Sequence, residues 1–138
     1  MLDGIQRAVP DAAIGHIGLY RDAETLRPVS YYEKVPVNVA AAEVLLLDPM
    51  LATGNSACEA ASILKAQGAR SVQFLCVVAC PAGVEQFQRA HPDVPIVAAA
   101  IAREILLAGI PPEQAAERVV YDERLFRIPG FGTVVNMH

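Results

Sequence analysis

The 138-residue chain predicts a single α/β domain spanning 1–138, an open and mostly parallel sheet with flanking helices. Three observations carry that prediction. Apolar runs of strand length alternate with segments whose apolar residues recur at helical spacing. The length suits one domain, and no repeat or low-complexity segment divides it. One run, Leu45-Leu46-Leu47, ends on an acid and passes through a loop of small residues straight into a helical segment. Such a junction belongs to parallel βαβ units.

Each element follows from its own pattern. Residues 13–20 form a short apolar run with Gly15 and Gly18, readable as a buried strand. Residues 43–47 form a cleaner one, closed by Asp48-Pro49. Residues 72–78 are β-branched and aromatic, ending before Pro81, and 94–99 form a fourth, weaker run. Between the second and third runs, Ala57, Ala60, Ala61 and Leu64 recur at helical spacing in 56–67, with Gly68 following as the C-cap. Residues 82–90 predict a second helix with Val84 and Phe87 inward, ended by His91-Pro92. An exposed arm or hairpin at 21–37, over the C-terminal edge of the sheet, breaks the alternation with charges, two prolines and the pair Tyr31-Tyr32. Beyond Ala102 the pattern loosens: 103–108 and 112–119 look helical, and 128–132 is turn-rich loop.

Composition narrows the function classes. Eleven basic against fifteen acidic residues leave a net charge of −4, which argues against a general nucleic-acid binder. No apolar run approaches the roughly 18 residues of a membrane span. Met1 is followed by no basic-plus-apolar leader, and Cys58, Cys76 and Cys80 are an odd number without framework spacing. Both features point to reduced thiols in a cytoplasmic protein. Apolar residues reach 54 %, above the usual 45–50 %. The excess has two readings, an alanine-rich core or surface buried against another copy.

The junction at 45–56 carries the chemistry. Ligands in open α/β sheets bind at the carboxyl ends of strands, and a helix N-terminus offers unpaired N–H groups and a positive dipole end. Gly54 lets backbone amides approach an anion, Thr53 and Ser56 add hydroxyl donors, and Asp48 can accept both hydroxyls of a ribose diol. Acid plus cradle at this spacing describes a ribose-5-phosphate site. On the residues alone, a plain strand–turn–helix connection with Ser56 as N-cap is an equally good account. The loop lacks the Gly-Lys-Ser/Thr of a Walker A motif.

Asp48-Pro49-Met50-Leu51-Ala52-Thr53-Gly54-Asn55-Ser56 resembles the phosphoribosyl pyrophosphate motif of the uracil phosphoribosyltransferases, whose Asp-Pro pair separates them from relatives with two adjacent acids. Residues 15–22, Glu24-Thr25-Leu26, Tyr31-Tyr32-Glu33-Lys34, Cys80-Pro81-Ala82-Gly83-Val84 and Ala90-His91-Pro92-Asp93-Val94 resemble further family landmarks in order, over about 1–101. The resemblance implies a type I phosphoribosyltransferase fold and a glycosyl transfer, uracil plus phosphoribosyl pyrophosphate giving UMP and diphosphate. It implies Asp48 and Arg21 as the catalytic pair. Phosphoribosyl pyrophosphate contacts would come from Arg21, Asp48, Pro49, Met50, Leu51, Ala52, Thr53, Gly54, Asn55 and Ser56. Uracil would meet the backbone of Ile128, Gly130 and Gly132. Mg²⁺ would arrive on the substrate, with no protein metal cage. A homo-oligomer and a GTP effector belong to the same set of expectations.

Two departures qualify the likeness. The family's Pro-Ile-Leu-Arg-Ala-Gly loop belongs just upstream of Met1, and Met1-Leu2-Asp3-Gly4 resembles its continuation into a helix. Thr133 stands where the family's uracil hood carries an aspartate. The expectation is therefore an intact phosphoribosyl site with impaired turnover in this short chain. The alternative is a non-catalytic phosphoribosyl-binding or regulatory domain. Tyr31, Tyr32 and Lys34 either close over substrate or pack as a hairpin, and His16 and His91 read as structural.

Overall fold

The computed structural model describes residues 1–25, 27–101 and 133–137. Its elements run α1 (Leu2–Ala8), β1 (Ala13–Arg21), β2 (Pro28–Lys34), a 3₁₀ turn (Val39–Ala41), β3 (Glu43–Leu51), α2 (Asn55–Ala66), β4 (Ser71–Ala79), α3 (Pro81–Ala90), β5 (Ile96–Ile101) and β6 (Thr133–Met137). Among the described residues these build one six-stranded sheet in the order β2-β1-β6-β3-β4-β5. Every neighbouring pair is parallel except β1 with β2. The expected open α/β architecture is thus present. The expectations for 103–108, 112–119 and 128–132 lie outside the described residues. Among the described residues no helix is long and apolar enough to cross a membrane.

Alternation along the strands separates two faces. Val44 and Leu46 of β3, with Phe74 and Cys76 of β4, join the cluster covered by Ala57, Ala60, Ala61 and Leu64 of α2 and Phe87 of α3. Leu45, Leu47 and Leu75 point the other way, onto Ile5 of α1. The helical spacing read from the sequence is the buried stripe of α2, and Phe87 is fully buried at 4.9 Å from the Phe74 ring centroid. The C-cap of α2 is Gln67, one residue before the expected Gly68, which stands next at φ +96° with its N–H on the Lys65 carbonyl while Ala69 N–H reaches that of Leu64.

Strands β3 and β6 depart from the sequence expectation. Strand β3 does not stop at Asp48-Pro49 but runs to Leu51. The β4 ladder continues through Met50 opposite Val78 and Leu51 opposite Ala79, skipping Pro49, whose ring has no N–H to give. The central strand β6 was unforeseen: it begins at Thr133 and inserts between β1 and β3. Of the two forms expected for 21–37, arm or hairpin, the structure has an edge hairpin, with Arg21 the last residue of β1 and β2 pairing antiparallel to it. The Tyr31 ring covers Gly18, where an added Cβ would lie 2.6 Å from its Cζ, so Tyr31 packs as part of the hairpin.

Candidate active site at the end of strand β3

Strand β3 is where the chain order diverges. Strands β4 and β5 extend the sheet on one side, β6 and β1 on the other. Pairing between β3 and β6 ends at Leu47 opposite Asn136. From Asp48 onward that flank of β3 has no strand partner among the described residues. A cavity of about 550 Å³ lies at the opposite end, lined by residues such as Glu43, Lys65, Arg70 and Asp93, and no predicted site residue takes part in it.

Asp48 sits half-buried just past the last β3–β6 pair, its Oδ1 accepting the Met50 N–H at 3.2 Å. Burial pushes its carboxyl above the ordinary range, and the Met50 hydrogen bond opposes the rise only in part. The opposite residue on β4 is Cys76, whose thiol is pushed up to about 12 by burial first and by the Asp48 charge second. An acid held this way keeps its second oxygen for a ligand hydroxyl.

The turn from strand to helix is made by residues 52–54. Gly54 has φ +86°, a left-handed conformation that side chains rarely tolerate, and it is the N-cap of α2. Ser56 is therefore the second helical residue and not the cap, which removes the plain N-cap account of that serine. No side-chain hydrogen bond caps the helix. Thr53 and Ser56 are exposed, and among the described residues neither hydroxyl is engaged. Two exposed hydroxyls thus stand at one helix start.

Helix α3 forms the back wall. A Cβ on Gly83 would lie 2.5 Å from the Ala52 carbonyl oxygen and 2.9 Å from that of Leu51. Cys80 N–H donates to Leu51 O at 2.8 Å, and the Gln86 side-chain amide donates to Asn55 Oδ1 at 2.6 Å. Sequence reasoning missed Gly83 and Gln86 as parts of the site. A glycine inside a helix was the available signal, since it marks close packing more often than chance would place it there.

Arg21 reaches the same edge of the sheet from β1. Ile17 is level with Met137 and Leu47 with Asn136, so Asp48 stands near the level of Ile17 and Arg21 lies four residues further on. With two strand spacings between them, the backbones stand on the order of 15 Å apart. Arg21 is exposed and makes no ion pair among the described residues. Asp22 beside it accepts the Thr25 N–H at 2.7 Å and the Thr25 hydroxyl at 2.8 Å, which fixes the turn after Arg21 and holds the Asp22 carboxyl below its ordinary range. Ile128, Gly130 and Gly132, expected to meet uracil, lie outside the described residues.

Comparison with known proteins fits this geometry. A family model described as uracil phosphoribosyltransferase matches residues 1–109. The uracil phosphoribosyltransferase of Paracoccus denitrificans is 47 % identical over 132 residues, covering 96 % of this chain and 55 % of that protein. An alignment that long runs past Ile101, further than the motifs alone reach. The uracil phosphoribosyltransferase of an Acidovorax species is 56 % identical over 104 residues, covering 75 % of this chain and 50 % of that protein. The chain spans about half the length of the curated relatives it matches. Among solved structures, the AQ2163 protein from Aquifex aeolicus superposes with a TM-score of 0.66 at 27 % identity, over 73 % of this chain and 48 % of that one. A family match across most of the chain, on a fold that leaves an acid and an open helix start at one strand end, makes this chain a member of the uracil phosphoribosyltransferase family.

Proposed function

We propose that the chain binds a 5′-phosphorylated ribose at the β3–α2 junction and takes part in transferring it from phosphoribosyl pyrophosphate to uracil, giving UMP and diphosphate. The carrying observation is the juxtaposition of half-buried Asp48 with the uncapped start of α2. The phosphate sits on the amides and hydroxyls of residues 53–56. The ribose diol sits on Asp48, and Arg21 meets the diphosphate as a charge-assisted donor. Uracil N1 then attacks C1 of the ribose as the diphosphate leaves, so the protein's work is positioning and charge stabilisation without a covalent nucleophile.

Mg²⁺ fits this donor set as a cation carried by the substrate. Asp48 has its Oδ1 on the Met50 N–H and its second oxygen left for a ribose hydroxyl, so the ion falls to the diphosphate oxygens. Bound to the diphosphate, the ion would neutralise charge on the leaving group. The reduced-cytoplasm setting and a homo-oligomer remain part of this proposal. Cys58, Cys76 and Cys80 are all free thiols, in keeping with the first of these.

Calorimetric titration with UMP tests the reading. Thr53→Ala is expected to weaken binding about tenfold or more, since a hydrogen bond to a charged group contributes roughly 1.5–3 kcal/mol. Unchanged affinity in both Thr53→Ala and Asp48→Asn would overturn it. A UMP-formation assay with phosphoribosyl pyrophosphate, Mg²⁺ and uracil then separates turnover from binding alone.

A further inference from the structure

His91, in the turn after α3, is a buried polar side chain that the proposed chemistry leaves unused; it is 7 % exposed. Its Nε2 lies 3.0 Å from the Cys58 carbonyl oxygen and 3.4 Å from the Ser62 hydroxyl, and its Nδ1 lies 3.2 Å from Lys65 Nζ. Lys65 Nζ also donates to Asp93 at 2.7 Å. A lysine ammonium has donors only, so Nδ1 must be the accepting nitrogen and the ring proton belongs on Nε2. That proton then points at Cys58. The neighbours thus select one tautomer, and the relay Asp93–Lys65–His91 ends on backbone.

The backbone it reaches is the first turn of α2. Cys58 is the fourth helical residue, and its own N–H bonds the Gly54 carbonyl at 2.8 Å. The Phe87 ring, with its centroid 5.5 Å from that of His91, packs beside the imidazole. Together with Gly83 against Ala52 and Gln86 on Asn55, this makes a third tie from α3 and its following turn to the phosphate cradle.

We propose that His91 is a positioning residue for the cradle: its Nε2–H, held in that tautomer by Lys65 and Asp93, sets the first turn of α2 and so aims the amides of residues 54–56. This rests on the phosphate-binding reading above. A histidine that merely filled space would be replaceable by a ring of similar size without loss of ligand affinity. A positioning histidine requires a donor at the Nε2 position.

The test uses the purified chain with His91→Phe, His91→Gln, Lys65→Met and Thr53→Ala. It reads UMP affinity by calorimetry, melting temperature, and ¹⁵N signals of the imidazole and of the α2 amides without ligand. Wild type is expected to show the Nε2-protonated tautomer, and Lys65→Met a mixture of the two. His91→Phe should weaken UMP about tenfold and shift the amides of Ser56 and Ala57 before any ligand is added. His91→Gln, which restores a donor near Nε2, should recover most of that affinity when the two variants melt together. Wild-type affinity in His91→Phe, alongside a weakened Thr53→Ala, would overturn the positioning role and leave the phosphate reading standing. If wild type binds no UMP, the phosphate reading fails, and the amide shifts still decide whether His91 sets the helix start. Should His91→Phe not fold, an unchanged tautomer in Lys65→Met overturns the proposal, and a mixture accompanied by moved Ser56 and Ala57 amides supports it.

Discussion

Asp48 shows how a residue proposed to bind ligand trades against the stability of its own fold. Burial raises its carboxyl above the ordinary value of 3.8, so the native state holds the proton to higher pH than the unfolded chain does. Between those two values the native state binds more protons, and stability falls as pH rises. The favourable contribution is complete below 3.8 and is lost as pH passes through the folded value. Asp22 and Asp93, both held low by hydrogen bonds, have the opposite slope, losing stability as pH falls. Comparing Asp48→Asn with wild type cancels their contribution. Asp48→Asn is expected to equal or exceed wild-type stability at about pH 7, with the difference vanishing in acid, while UMP binding falls about tenfold or more. Urea unfolding across that pH range checks it, and an equal destabilisation at every pH would mean that the carboxylate is structural. The sequence put this acid at the end of its strand, whereas β3 carries it inside and runs on to Leu51. What it did not show was the half-buried setting opposite Cys76, because that neighbour lies on another strand.

At the scale of elements, α3 has the largest consequence for the site. Replacing a helical glycine by alanine ordinarily gains about 1 kcal/mol. At Gly83 the added carbon would meet two backbone carbonyls, of Ala52 and Leu51, and neither can rotate away. Overpacking costs about 1–3 kcal/mol, so the clash outweighs the propensity gain. Gly83→Ala is expected to melt at lower temperature and to bind UMP about tenfold more weakly, because the atoms displaced are the cradle's own backbone. Melting and calorimetry on the one variant read both effects, and a more stable variant with full affinity would show that the wall yields. The stripe Ala57, Ala60, Ala61 and Leu64 was legible because a helix buries one face by periodicity alone. The extension of β3 past Pro49 was not, since a proline ordinarily closes a central strand and is tolerated here where the ladder skips it. Strand β6 has five residues, Thr133–Met137, too few for a pattern that stands out.

For the whole molecule, the 54 % apolar content exceeds what a domain of this size usually carries. Tyr20, Tyr32, Met50, Val77 and Ile101 are large apolar or aromatic side chains left exposed. The expected outcome of sedimentation velocity at micromolar concentration is a species heavier than the 14.7 kDa monomer, at least a dimer. A stable monomer would count against it. The sequence by itself determined the alternation of strands and helices, the inward stripe of α2, and the order acid, small-residue loop, helix start at 48–56. These depend on residues a few positions apart, where periodicity and turn chemistry act directly. Tertiary structure alone decided that β6 enters between β1 and β3, that β3–β6 pairing stops at Leu47, and that α3 packs on the turn at 52–55 through Gly83 and Gln86. Strand order and close backbone approach join residues far apart in the chain, and no local pattern records which of them will meet.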